Sequence, residues 1–118
     1  MDAMLNKRAL DICTLLEEMN ASDVIGLEMG PECSWASFLL IATVSSRVQM
    51  QGLSAAVMEK LKESGSEPTS GGKKSDESSW RIIDGGEIVV SLMDADAREF
   101  YALEERWFES RVFFRSGD

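Results

Sequence analysis

The sequence predicts an α+β domain: a single mixed β-sheet of four to five strands with packed helices, in the order α-β-β-α-β-β-α. Three observations lead there. Apolar residues recur at helical spacing in three separated stretches. Short apolar runs bounded by glycine, proline and serine lie between them in pairs and read as strands. The middle helical stretch is long enough to carry the chain across the sheet from one strand pair to the next, which a mixed sheet requires. A length of 118 residues suits one domain, residues 1–118, able to bury a core without disulfide or metal staples.

Leu5, Ala9, Ile12, Leu16 and Met19 fall on one side of an opening helix, which Asn20, Ala21 and Ser22 end. In DVIGLEM, residues 23–29, Ile25, Leu27 and Met29 share one face of a strand, and Gly30-Pro31 marks a turn. WASFLLIATV, residues 35–44, is nearly continuous apolar sequence, the composition of a central strand buried on both faces. Ser46 followed by Gln49 is a capping-box spacing, so a helix is expected to start there and run to about Ser64, with Val57 and Leu61 inward and Gly65 as its C-terminal cap. Gly52 inside it costs about 1 kcal/mol relative to alanine.

Residues 65–79, GSEPTSGGKKSDESS, are polar, carry no periodicity and are expected to form one long loop. Trp80, Ile82 and Asp84 then share one face of a strand, with Arg81 and Ile83 on the other. Gly85-Gly86 reads as a two-residue hairpin turn, and Glu87 to Met93 returns as the second strand. Asp94 or Asp96 caps the last helix, on which Phe100, Leu103 and Trp107 form an apolar stripe. After about residue 108 the tail holds Val112, Phe113 and Phe114 without a clear pattern and reads as variable.

Composition excludes several functions. The formal net charge is −9, with 21 acidic and 12 basic residues. Such a surface repels phosphate at long range, so no direct nucleic-acid binding is expected, while basic proteins are attracted. There is no histidine, which removes the usual general base and any Ser-His or Cys-His pair. Two cysteines, Cys13 and Cys33, make neither a disulfide framework nor a zinc site, and Cys13 sits in the apolar helix pattern as a small core residue. No apolar run reaches the length of a membrane span, and the acidic N-terminal stretch resembles neither a secretion signal nor a transit peptide. The expectation is a cytoplasmic protein without membrane contact.

Four sets of residues are weighed against ordinary roles. Asp94 and Asp96, just past a strand, could hold magnesium in a nucleotidyltransferase-like enzyme, but acids there also serve the positive end of the following helix. SGGKKS, residues 70–75, lacks the glycine spacing of a phosphate loop, which leaves Lys73 and Lys74 as loop-solubilising charges. Met19, Met29 and Met93 fall on patterned apolar positions and fill core. All three tryptophans, Trp35, Trp80 and Trp107, suit a core role; Trp107 fits a helix stripe most clearly, whereas Trp80 follows a polar loop beside a charged turn. For Trp80 the pattern serves core burial and an interface anchor equally.

SSWRIIDGGEIVVSLMDADAREFYALEERW, residues 78–107, resembles the C-terminal signature of the ribosomal silencing factor family, also called Iojap. The matching positions are Trp80, Asp84, Gly86, Glu87, Val89, Val90, Arg98, Tyr101, Leu103, Glu104 and Trp107. Asp23, Ile25, Leu27 and the stretch LLIATVSSR resemble the family's first half. The chain departs from the family at Ser37, where an aspartate is usual, and at Ser91, where a histidine is usual. The glycine-containing turn near Val44 is shortened, and the loop before Trp80 is longer.

The resemblance implies a nucleotidyltransferase-like fold without catalytic residues, hence no enzyme, cofactor or metal. It implies docking on the fourteenth protein of the large ribosomal subunit, a steric block to joining with the small subunit, and repression of translation under nutrient limitation. Free members of the family are often homodimers. On this reading Trp80 is the anchor, Asp84 and Glu87 are acidic rim contacts, and Arg98 and Tyr101 either contribute to the same surface or brace it. The alternative from the residues is the magnesium-dependent nucleotidyltransferase-like enzyme using Asp94 and Asp96.

Overall fold

The computed structural model describes residues 3–30, 36–63, 65, 67–72, 80–102 and 110–116. Expectations for Cys33, Trp35, Lys73, Lys74, Leu103, Glu104 and Trp107 lie outside these residues. The elements run α1 (Ala3–Glu18), β1 (Ser22–Glu28), β2 (Phe38–Thr43), α2 (Arg47–Glu63), β3 (Thr69–Gly72), β4 (Trp80–Asp84), β5 (Ile88–Met93), α3 (Ala95–Tyr101) and β6 (Arg111–Arg115). The strands form one six-stranded sheet in the order β3-β4-β5-β2-β1-β6. The α+β class, the mixed sheet and the expected element order are all present. The sheet is wider than expected because a strand forms at each border.

Every strand pair is antiparallel except β2 with β5, which runs parallel in register from Phe38↔Ile88 to Thr43↔Met93. That pair needs the crossover that begins with α2, whereas β1–β2 and β4–β5 need only turns. β2 and β5 are central and buried almost throughout, as their continuous apolar sequence dictates.

Alternation along the strands splits the core into two layers. Phe38, Leu40 and Ala42 of β2, Ile88, Val90 and Leu92 of β5, and Ile83 of β4 pack with Ala9, Ile12, Cys13 and Leu16 of α1 and Met50, Leu53, Val57 and Leu61 of α2. Ile25, Leu27, Leu39, Ile41, Val89 and Met93 face the other way, toward Ala97, Trp80 and Tyr101. Thus α1 and α2 lie on one face of the sheet and α3 on the opposite one. Cys13 is a core residue as its spacing predicts, and burial pushes its thiol up to about 12.

The α2 cap differs from the expected box by one residue. Gln49 N–H donates to Ser46 Oγ (3.0 Å), but Gln49 Oε1 accepts from the N–H of Ser45 (2.7 Å) rather than of Ser46. Gln49 Nε2 meanwhile donates to the carbonyls of Asn20 (2.9 Å) and Met19 (3.3 Å). One amide side chain therefore closes the start of α2 and the end of α1 together, satisfying groups that helix ends leave open.

Both border strands come from segments read as irregular. β3 lies inside the expected polar loop and pairs from Thr69↔Asp84 to Gly72↔Arg81, so its order comes from the neighbouring strand rather than from side-chain pattern. β6 is formed by the tail residues that showed no clear pattern. It pairs with β1 across a register shift between Gly26↔Phe114 and Leu27↔Val112, which leaves Phe113 as the extra residue of a bulge. The bulge is what hid the alternation. It also drives the Phe113 ring inward, edge-on to Phe38 at 5.3 Å and directly over Gly26, where an added Cβ would approach the ring to 2.7 Å.

The hairpin turn is also displaced by one residue. The Gly85 N–H donates to the Ile88 carbonyl (2.9 Å), so the ladder continues through Gly85 and the tip is Gly86-Glu87. Gly86 has the positive φ, 91°. Gly85 is small for another reason: a Cβ there would meet both methyls of Leu61 at 2.9 Å.

Candidate docking surface

β4 begins at Trp80, opposite Met93 at the end of β5, so the indole stands where the hairpin meets α3. It is half-buried. Its Nε1–H donates to Ser91 Oγ (2.7 Å), and its ring lies on Tyr101 with centroids 4.3 Å apart at 40°. Tyr101 in turn holds Phe100 edge-on, 4.9 Å away at 87°. Phe100 is 80% exposed. The three rings form a continuous series from the edge of the core to open solvent. Ile82, two residues along the same strand face, adds an aliphatic side chain 36% exposed.

α3 is fixed at both ends. Asp94 is its N-cap, with Oδ1 accepting from Ala97 N–H (2.8 Å). Ala102 ends it in the left-handed region, φ 47°, with its N–H on the Arg98 carbonyl (2.9 Å). Between them Ala97 is buried against the sheet, and Arg98 Nη1 donates to Thr43 Oγ1 (2.9 Å) and to the Asp23 carbonyl. Asp23 has φ 47° and sits where β1 carries an extra residue relative to β2, so Arg98 ties the helix to that bulge. Asp94 acts here as a cap, and among the described residues no three of histidine, cysteine, aspartate and glutamate converge as a metal site would need.

The residues singled out in the sequence are brought together only in part. Trp80 and Tyr101 stack. Arg98 lies one helical turn from Tyr101 with its guanidinium on strand ends, the geometry of a brace. Asp84 shares the face of Trp80 but lies about 13 Å farther along β4 at the usual rise; it is exposed, with Oδ1 accepting from Gly86 N–H (2.9 Å). Glu87 is exposed at the hairpin tip, where Oε1 accepts from Ser37 Oγ. The two acids are therefore engaged separately, Asp84 by the Gly86 N–H and Glu87 by the Ser37 hydroxyl.

Three residues of this surface were missed. Phe100 is expected inside, on a stripe with Leu103 and Trp107; the residue that faces the sheet is Ala97, and the Phe100 ring points out. Ile82 gave no signal beyond its strand face. Ser91 stood out only as a departure from the family pattern, and it is 1% exposed and holds the indole. Ser37, the other departure, holds Glu87. Both unusual serines thus contact residues of the candidate surface.

Residues 3–116 match the family model described as "Ribosomal silencing factor during starvation". The chain is 33% identical over 108 residues to the ribosomal silencing factor RsfS of Treponema pallidum, covering 91% of this chain and 96% of that one. A crystal structure of a Chromobacterium violaceum protein superimposes with a TM-score of 0.74 at 27% identity, covering 99% of this chain and 95% of that chain. A second, from Bacillus halodurans, gives a TM-score of 0.70 at 26% identity over 90% of this chain and 95% of that chain.

Proposed function

The chain belongs to the ribosomal silencing factor (Iojap) family, and on that premise we propose that it silences ribosomes by binding, without chemistry. The partner is a basic protein of the large ribosomal subunit, the fourteenth of that subunit, and the bound domain stands where the small subunit would join. Translation falls as a result under nutrient limitation.

The observation that carries the site is the half-buried Trp80 indole, oriented by Ser91 and Tyr101 and continuous with exposed Phe100. A preoriented aromatic at the edge of a core is the kind of residue that dominates interface energetics. The net charge of −9 supports a basic partner, since opposite charge speeds encounter and fixes orientation. Asp84 and Glu87 serve as acidic rim contacts, and Arg98 acts behind the surface by holding α3. A body of 36 × 30 × 29 Å is a substantial obstacle on a subunit face. Docking needs about 800 Å² per partner, a small part of the 6909 Å² surface.

The test is sedimentation of the purified chain with isolated large subunits, followed by addition of small subunits. The expected result is cosedimentation at moderate salt and a dose-dependent fall in joined ribosomes. Absence of binding to large subunits refutes the proposal.

A further inference from the structure

Phe100 and Asp96 lie four residues apart on α3, on the same side of the helix, and both are exposed. Phe100 is the most exposed large apolar residue described, at 80%, and its ring is held at 87° to Tyr101 rather than lying on the surface. A single exposed apolar residue needs no explanation. This one ends a series of three touching rings whose inner member is half-buried against the core, and it has a carboxylate one turn away and Glu99 beside it in sequence. A ring face next to a carboxylate suits a guanidinium or ammonium group, which the ring attracts through its quadrupole and the carboxylate through its charge.

We infer that Phe100 and Asp96 form a seat for a cationic side chain of the partner, an arginine or lysine stacked on the Phe100 ring and paired with the Asp96 carboxylate. The inference rests on the docking reading above and deepens it, because it separates two jobs on one surface. Trp80 supplies apolar anchoring at the core edge. The Phe100–Asp96 seat recognises charge, and selects a basic protein surface over a merely apolar one. It also gives Asp96 a role that needs no metal.

The experiment measures equilibrium binding of the full chain to purified large ribosomal subunits. Phe100→Leu keeps an apolar side chain but loses the ring face, and is expected to weaken binding about tenfold. Phe100→Trp, the better cation binder, is expected to keep or tighten it. Asp96→Asn is expected to weaken binding and to reduce its salt dependence. In combination with Phe100→Leu it should cost less than the sum of the two single changes, since both act on one cation. Unchanged thermal melts for all three variants confirm that folding is not what was altered. If Trp80→Ala weakens binding while Phe100→Leu and Asp96→Asn leave it within about twofold, the seat is refuted and the docking reading stands. If the unaltered chain fails to bind large subunits, the docking reading falls and the seat with it.

Discussion

Trp80 touches the second core layer with one side of its ring, so its replacement trims contact area without opening the centre of the sheet. Trp80→Ala is expected to weaken large-subunit binding by about 2 kcal/mol. Its thermal melt should shift far less than that of a truncation at fully buried Leu40, where about 2–5 kcal/mol is usual; binding titrations and melts on the same samples compare the two. Cys13 supplies a pH dependence. Burial raises its thiol from 9.0 to about 12 in the folded chain, so the folded form keeps its proton where the unfolded form loses it. Stability from this group is complete below pH 9 and declines as pH rises toward 12, which melts across that range would register; Cys13→Ala should flatten the decline. At this scale, helical spacing placed Cys13 inside, the polar loop before Trp80 singled out that residue, and the family resemblance alone pointed to Tyr101. Spacing could not place Phe100, because a helical stripe assumes that the helix continues, and this one ends at Ala102 with a left-handed residue.

Sequence pattern located α1, β1, β2, α2, β4 and β5 from apolar residues that recur, alternate or run together against a core, and α3 from the Asp94 cap that precedes it. β3 and β6 escaped it for different reasons. β3 is held by ladder bonds to β4, which leave no periodic trace. In β6 the extra residue Phe113 breaks the alternation while supplying the strand's main contact. Phe113→Ala should therefore destabilise the domain by about 2 kcal/mol, less than a fully buried phenylalanine, and loosen the border beside β1; amide exchange at Gly26 and Leu27 would show it. The displaced cap of α2 makes a similar point. Capping-box spacing located the helix start, but not the second use of Gln49. Gln49→Ala should cost about 1–2 kcal/mol, because the ends of two helices lose hydrogen bonds at once. Ser46→Ala should cost about 1 kcal/mol. Denaturant titrations of the two variants make the comparison.

For the molecule as a whole, charge and rigidity divide the work of docking. An acidic body approaching a basic protein is steered, so raising ionic strength should slow association more than it hastens release; stopped-flow or surface-binding kinetics at several salt concentrations separate the two rates. Net charge and the absence of histidine pointed to binding from composition alone. The surface itself was not legible, because it is assembled from the start of β4, the middle of β5 and the end of α3. The bulge at Phe113 has one more consequence. A straight border strand invites other chains to add to it ladder by ladder, whereas a kinked one offers a broken template. The β6 border, bent at Phe113, is therefore a poorer platform for a further strand than a regular edge of the same length would be.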